Sequence, residues 1–254
     1  MKKLVAFDLD GTLAEPKQPI NAEMGGLIAG LSRLVEIAII SGGDWPQFEA
    51  QVVGRLPEHM PWGRLHLLPT SGAKRYRFEG GKWTIVYENL LPEAARKHIV
   101  DVLARAARDT GLLEASPWGE IIEDRGSQIT YSGLGQHAPL EAKRRWDPEF
   151  LKRRRLQAAV LPLLPGYAVS IGGSTSIDVT GTGIDKGSEL LKLATVLGLK
   201  VGAVMFVGDA LYPGGNDFSV HVAGVDTLQV RDVAETRSII RAMSLFGDPL
   251  PSGA

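Results

Sequence analysis

The stretch that decides the fold is Lys3-Leu4-Val5-Ala6-Phe7-Asp8-Leu9-Asp10-Gly11-Thr12, an apolar run that ends in two acids. The run predicts a buried strand, and Gly11 permits a sharp turn after it. Two carboxylates at one strand end suit phosphoryl transfer, because Asp8 can attack phosphorus while Asp10 gives or takes the proton of the bridging oxygen. An ordinary strand with an Asp-Gly turn would have the same local sequence, so other residues must decide between the two interpretations.

Helix and strand patterns alternate in both halves of the chain. Asn21 and Asp44 can cap helices on either side of a strand predicted over residues 34–40. The later half predicts, in order, a helix over 186–197, a strand over 201–207, a short strand over 219–222, a helix that begins at Asp232 and a loose tail over 246–254. This alternation predicts an α/β fold with a Rossmann-like parallel sheet, in which ligands bind at the carboxyl ends of the strands.

The middle of the chain follows a different pattern. Helices are predicted over 92–107 and 148–164, and strands over 120–124, 128–134, 167–171 and 176–180. Helices beside hairpins predict a separate α+β domain. We therefore expect a core domain formed by residues 1–87 and 185–254, with an inserted α+β domain over residues 88–184.

Composition narrows the classes of function. The 28 basic and 29 acidic residues give a formal net charge of -1, so the total charge does not indicate a nucleic-acid or anionic-membrane partner. The basic runs at 143–145 and 152–155 have little aromatic interleaving and are typical of a solvated helix face. No apolar segment approaches the ~20 residues of a membrane span. We expect a soluble, cytoplasmic protein, and the sequence leaves its oligomeric state open, with a homodimer as one candidate.

Cysteine is absent from the chain, which excludes disulfides, thiolate metal sites and cysteine nucleophiles. The remaining candidates are polar residues at strand or helix ends: Asp8, Asp10, Ser41, Lys186, Asp209, Asn216 and Asp217. Asp8 and Asp209 can hold Mg²⁺ in an oxygen shell that the backbone carbonyl of Asp10 and waters complete. Ser41, the N–H of Gly42 and the Lys186 ammonium can cradle the phosphoryl oxygens. The sequence therefore predicts a site for phosphoryl transfer with Mg²⁺ as cofactor.

Four motifs in order resemble those of the haloacid dehalogenase superfamily of phosphotransferases: Asp8-Leu9-Asp10-Gly11-Thr12, Ser41, Lys186, and Gly208-Asp209 to Asn216-Asp217. The long insertion between the second and third motifs resembles the superfamily's C2-type cap, subclass B. Two further stretches, 208–217 and 170–178, are most similar to those of eukaryotic-type phosphomannomutases. The resemblance spans almost the whole chain.

The resemblance implies a role for each matching residue. Asp8 would be the nucleophile, Asp10 the general acid/base, Ser41 and Lys186 the phosphoryl anchors, and Asp209 a metal ligand that Asn216 and Asp217 support or join. On the cap, Arg125, Ser176 and Asp178 match positions that hold the sugar or its distal phosphate. Plainer alternatives remain open, since Arg125 could be an exposed turn residue and 174–176 a polar strand edge.

The chain departs from phosphomannomutases where these enzymes use arginines to grip the non-reacting phosphate. Lys17 stands in the place of one arginine, and Trp118 and Gln136 stand in the places of two more. Lysine supplies a point charge, while tryptophan and glutamine supply none. A mutase must retain its bisphosphorylated intermediate and a phosphatase need not. These residues therefore favour a phosphatase that hydrolyses a small phosphorylated metabolite, in particular a sugar phosphate.

Two other hypotheses remain. A phosphohexomutase is the alternative, since the fourth motif and the strand that carries Ser176 and Asp178 are mutase-like. A non-catalytic sensor of phosphorylated ligands would tolerate loss of the nucleophile or of a metal ligand. Every core motif is intact, which disfavours the sensor.

Overall fold

The computed structural model of the chain describes residues 2–245, so the tail predicted over 246–254 lies outside the described residues. These residues form two compact units. The first unit comprises residues 2–88, 185–213 and 217–245, and the second comprises residues 89–184 and 214–216.

The strands are β1 (Leu4–Phe7), β2 (Glu36–Ile40), β3 (Leu65–Leu68), β4 (Lys74–Glu79), β5 (Lys82–Glu88), β6 (Ile122–Asp124), β7 (Gln128–Ser132), β8 (Tyr167–Gly172), β9 (Ser176–Gly181), β10 (Val204–Gly208) and β11 (Asp226–Gln229). The α-helices are α1 (Ala22–Leu31), α2 (Trp45–Gln51), α3 (Glu93–Asp109), α4 (Leu140–Trp146), α5 (Leu151–Val160), α6 (Lys186–Val196), α7 (Phe218–Val222) and α8 (Val233–Leu245).

The first unit contains a seven-stranded sheet in the order β11-β10-β1-β2-β3-β4-β5. The strands from β11 to β3 are parallel, and β4 and β5 add an antiparallel hairpin. The predicted parallel α/β sheet is therefore confirmed. Its hairpin was not predicted, although two alternating runs on either side of Gly80-Gly81 carry the signal for it.

β1 is buried on both sides, as a central parallel strand should be. Val5 and Phe7 pack in one apolar cluster with residues of α1, and Leu4 and Ala6 pack in another with residues of α6. The register pairs Phe7 with Ile39 of β2 and with Val207 of β10. The residues that follow β1, β2 and β10 therefore lie at the same edge of the sheet.

The second unit contains an antiparallel sheet in the order β6-β7-β9-β8. One face is apolar and packs with residues of α3 and α5 in a single cluster that includes Tyr131 and Ile177. The register places Thr130 opposite Asp178 and Ser132 opposite Ser176 on the alternate face. The unit thus combines an apolar core with a polar sheet face.

One predicted strand is wrong. Residues 219–222 alternate apolar and polar side chains, but they lie in helix α7, and the strand that pairs with β10 is β11. The N–H of Ala223 donates to the Ser219 carbonyl at 2.9 Å. A Cβ at Gly187 of α6 would overlap that carbonyl. Close packing between the two helices therefore selects the helical conformation.

Smaller differences concern the ends of elements. The strand predicted from residue 201 begins at Val204, after one turn of 3₁₀ helix. The helix predicted over 148–164 is observed as α5, and α4 before it was not predicted. Every helix of residues 2–245 is too short or too polar to cross a membrane.

Asp44→Ala is expected to destabilise the protein more than Asn21→Ala. Both side chains cap helices, since the N–H of Met24 donates to Asn21 at 2.9 Å and the N–H of Trp45 donates to Asp44 at 2.7 Å. Losing a cap costs about 1 kcal/mol of unfolding free energy. Asp44 also pairs at 3.0 Å with the buried ammonium of Lys74, and weakening that interaction adds about 1–3 kcal/mol. Urea unfolding at pH 7 measures both losses, and equal losses would contradict this role of the ion pair.

Candidate active site

Asp8 is held at the end of β1 by its backbone and by a buried lysine. Its N–H donates to the Val207 carbonyl at 3.0 Å, and its side chain is buried. The Lys186 ammonium donates to Asp8 Oδ1 and, at 2.7 Å, to Asp217 Oδ1. Lys186 is the first residue of α6 and is 1% exposed, so its ammonium faces these carboxylates and not solvent.

Three carboxylates converge on this point. Asp8, Asp209 and Asp217 each offer one oxygen within 4.8 Å of the others. Gly11, at φ +93°, lets the turn after β1 approach this cluster, because a Cβ there would lie 2.5 Å from Asp209 Oδ2. Gly208 plays the same part beside Asp217, whose carboxylate would overlap a Cβ at that position. Both positions therefore require glycine, because a carboxylate lies where a Cβ would be.

The charges of this cluster do not balance. If all three carboxylates are ionised, the single ammonium leaves the cluster with a net charge of -2. Burial raises the pKa of Asp8 well above its ordinary value, although the Lys186 ammonium opposes this shift. The pKa of Asp209 rises to about 6, because burial disfavours its charged form and Asp217 repels it. Burial alone would lower the pKa of Lys186, but the carboxylates of Asp217 and Asp8 reverse the shift.

The donor set fits a hard divalent cation. Its oxygens are carboxylates, and a charge of +2 would cancel the net charge of -2. Asn216 precedes Asp217, is half-buried and groups with the second unit, and its predicted metal role stays a prediction.

Ser41 follows β2 and is buried. Its Oγ accepts a hydrogen bond from the N–H of Gly43 at 3.3 Å. Two carbonyls of this loop accept hydrogen bonds from the turn that follows β3. The N–H of Ser71 donates to Ser41 O and the N–H of Thr70 donates to Gly43 O, both at 2.8 Å. Gly42 is half-buried between these two anchored peptides.

Asp10 lies outside the three-carboxylate cluster and has its own set of donors. The N–H of Lys17 donates to its Oδ1 at 2.8 Å, and Gln47 Nε2 donates to its Oδ2 at 3.1 Å. Lys17 Nζ donates to Gln47 Oε1 at 2.5 Å and lies 4.0 Å from Asp10 Oδ2. Gln51 Nε2 adds a longer bond of 3.4 Å to Asp10 Oδ1. Neither glutamine was predicted from the sequence, although their spacing of four residues places them on one face of α2.

The second unit brings the predicted cap residues onto the polar face of its sheet or beside it. Arg125 Nε and Nη2 donate to Glu123 Oε2 at 3.0 and 2.5 Å. The Arg125 side chain is buried, so the alternative of an exposed turn arginine is wrong. Thr130 Oγ1 donates to Asp178 Oδ1 at 2.8 Å, and the hydroxyls of Ser132 and Ser176 lie 3.3 Å apart.

The three departures of the chain from the mutases differ in their surroundings. Lys17 donates to Gln47 beside Asp10, and Trp118 is exposed. Gln136 Nε2 is buried without a hydrogen-bond partner among the described residues. The Gln136 carbonyl accepts a hydrogen bond from Lys143 Nζ at 2.9 Å.

The predicted solvated helix face holds for most of the two basic runs. Arg144, Arg145 and Arg154 are exposed. Lys143 and Arg153 are buried, which corrects the prediction at those two positions. The reason is local pairing, since Arg153 Nε donates to the buried carboxylate of Asp147 at 2.9 Å.

Comparison with known proteins gives consistent matches. The family model "Eukaryotic phosphomannomutase" matches residues 24–243. The chain is 27% identical over 227 residues to the phosphomannomutase of Schizosaccharomyces pombe, covering 87% of this chain and 86% of that protein. It is 26% identical over 224 residues to the phosphomannomutase of Saccharomyces cerevisiae, covering 86% and 85%.

Solved structures with the same fold include proteins named as hydrolases or relatives of phosphatases. The IMP-bound, N-terminally truncated IMP-nucleotidase of Plasmodium falciparum superposes with a TM-score of 0.71 at 15% identity, covering 96% of this chain and 68% of that chain. A haloacid dehalogenase-like hydrolase of Bacteroides thetaiotaomicron superposes with a TM-score of 0.59 at 16% identity, covering 96% and 100%. At these identities the likeness shows the fold alone.

Mg²⁺ is expected to raise the melting temperature more at pH 7 than at pH 5. The pKa of Asp209 is about 6 in the folded protein and lower in the unfolded chain. Without metal, protonated Asp209 therefore stabilises the folded state fully below the unfolded pKa, and this stabilisation is lost as the pH rises through 6. Above pH 6 the carboxylate is ionised and free to bind the cation, whereas at pH 5 a proton must leave first. Differential scanning calorimetry with and without Mg²⁺ measures the two shifts.

A matched pair of variants tests the assignment. Asp209→Asn should remove most of the Mg²⁺-induced shift at pH 7. Asp226→Asn, the same change on β11 at a surface ion pair with Lys2, should retain it. A full shift in Asp209→Asn would contradict a cation site at the three-carboxylate cluster.

Proposed function

Because the chain belongs to the eukaryotic phosphomannomutase family, we propose that it is a Mg²⁺-dependent phosphotransferase that moves a phosphoryl group between two hydroxyls of a hexose. The observation that carries the proposal is the buried Asp8 carboxylate, paired with Lys186 and set within the three-carboxylate cluster. A hexose phosphate is the proposed small-metabolite partner.

Asp8 is the proposed nucleophile. One of its carboxylate oxygens attacks phosphorus of a hexose bisphosphate while the bond from phosphorus to the sugar oxygen breaks. Asp10 gives its proton to that oxygen, so an aspartyl-phosphate and a hexose monophosphate result. In the return step a sugar hydroxyl attacks the same phosphorus, Asp10 takes its proton, and the Asp8 carboxylate is restored.

The other core residues are proposed to stabilise negative charge around the phosphorus atom. The Lys186 ammonium and Ser41, with the N–H of Gly42, are the proposed anchors of the phosphoryl oxygens. Asp8, Asp209 and Asp217 would hold Mg²⁺, with the Asp10 carbonyl and Asn216 as further predicted ligands, and the bound ion would offset negative charge on the transferring group.

Asp10 is well supplied with donors for its proposed role. Its carboxylate accepts hydrogen bonds from the N–H of Lys17 and from Gln47, which fix the side chain beside the turn after β1. A fixed acid/base is useful because proton transfer depends on short, aligned distances to the reacting oxygen.

Hydrolysis is the second candidate and was the main prediction from the sequence. Family membership and the names of the relatives favour the mutase alternative instead. The observations that favour hydrolysis are the uncharged Trp118 and Gln136, and the engagement of Lys17 and Arg125 with groups of the protein. In the hydrolytic reaction water replaces the sugar hydroxyl as acceptor, and Asp10 takes its proton.

Product analysis separates the two candidates. Mannose 1-phosphate, a hexose 1,6-bisphosphate activator and Mg²⁺ are incubated with the protein and followed by ³¹P NMR. The mutase produces mannose 6-phosphate with total ester phosphate conserved. Release of inorganic phosphate with no 6-phosphate would reject the mutase and support hydrolysis.

Asp8→Asn is expected to lower kcat by at least about a thousandfold in either reaction, since covalent catalysis loses its nucleophile. The folded structure should survive, because the substitution removes one charge from a cluster with excess negative charge. Steady-state kinetics and thermal melting of Asp8→Asn and of the surface control Asp226→Asn measure both effects. Turnover in Asp8→Asn close to that of the native protein would exclude the aspartyl-phosphate.

A further inference from the structure

A strained turn lies beside the loop that carries Ser41. Thr70, Ser71 and Gly72 follow β3 with φ angles of 51°, 58° and 91°. Left-handed backbone is unfavourable for residues other than glycine, and a β-branched threonine is a rare occupant. Thr70 is fully buried. Such a conformation persists only where surrounding contacts hold it, and it is common at functional sites.

The turn binds the Ser41 loop through two backbone hydrogen bonds. The N–H of Ser71 donates to Ser41 O, and the N–H of Thr70 donates to Gly43 O, both at 2.8 Å. In a trans peptide the carbonyl and the next N–H point in opposite directions. Holding these two carbonyls therefore directs the N–H groups of Gly42 and Asp44 away from the turn.

The other side of the turn is tied to the helix that carries Lys186. The Tyr87 hydroxyl lies 3.1 Å from Gly72 O and 3.0 Å from Glu189 Oε2, and it can donate to either. Glu189 is fully buried on α6, about one turn after Lys186. A Cβ at Gly72 would lie 2.5 Å from the Cβ of Glu189, so the turn and the helix are in direct contact.

We propose that this turn, braced by Tyr87 and Glu189, positions the Ser41 loop so that its N–H groups and Lys186 keep a fixed spacing around a bound phosphoryl group. The inference rests on the proposed function in one respect, the identity of the anion. Ser71, Tyr87 and Glu189 are positioning residues, because they act through the loop and through α6.

Binding of inorganic phosphate in the presence of saturating Mg²⁺ tests the proposal by isothermal titration calorimetry. Tyr87→Phe removes the hydroxyl and should weaken phosphate binding about three- to tenfold, as expected for one lost hydrogen bond. The affinity for Mg²⁺ measured without phosphate should change less than about twofold, because the hydroxyl that is removed binds Gly72 and Glu189 and is not a predicted metal ligand. Tyr76→Phe, the same change on β4, is the matched control and should bind phosphate like the native protein.

A second pair of variants tests the backbone of the turn. Ser71→Val places a β-branched residue where φ is positive and should weaken phosphate binding by about tenfold or more. Ser71→Asn, which tolerates left-handed backbone, should stay within about threefold of the native protein. Circular dichroism establishes that each variant is folded, and Tyr87→Phe remains informative if Ser71→Val does not fold.

Three results would overturn the inference. One is native phosphate affinity in folded Tyr87→Phe and Ser71→Val. The second is a loss of Mg²⁺ affinity in Tyr87→Phe as large as the loss of phosphate affinity. The third is that the native protein does not bind phosphate. Because the readout is phosphate affinity, a failure to form mannose 6-phosphate would reject the proposed mutase while leaving this test intact.

Discussion

Excess negative charge at the end of β1 is the constraint on which the rest of the site depends. Asp8 and Asp217 share the buried Lys186 ammonium, and Asp209 lies beside them. The pKa values of Asp8 and Asp209 rise because burial and like charges oppose ionisation. Like charges this close together repel one another, so the cluster favours either protonation or a bound cation. The proposed Mg²⁺ would be that cation and would supply charge for phosphoryl transfer.

The parallel sheet makes the convergence sterically feasible. The register of β1 with β2 and β10 sets three polar strand ends side by side, and α6 begins with Lys186 at the same edge. Gly11 and Gly208 then allow carboxylates to approach the backbone more closely than any side chain would permit. Leu4, Val5, Ala6 and Phe7 pack on both faces of the sheet, and this packing fixes the strand end that carries Asp8, the proposed nucleophile.

Family membership changes the weight of the functional hypotheses without changing the chemistry at Asp8. The sequence favoured hydrolysis because Trp118 and Gln136 lack the charge of the expected arginines. The comparisons favour the mutase. Lys143 belongs to a run that the sequence predicts to be solvated, but it is buried and donates to the Gln136 carbonyl. The surroundings of Gln136 therefore include a positive charge, although Gln136 itself carries none. Retention or release of a bisphosphorylated intermediate is what separates the two reactions.

The sequence by itself determined the elements whose signals are local: the apolar strand before Asp8, the caps at Asn21 and Asp44, and the alternation that indicates a parallel sheet. The motif order also identified the superfamily and the residues of the acidic cluster. Only the tertiary structure decided that residues 219–222 are helical, that Gln47 binds Asp10, and that the turn at 70–72 holds the Ser41 loop. These features depend on contacts between residues distant in sequence, and the energies of those contacts override the local propensity that a periodic pattern reports.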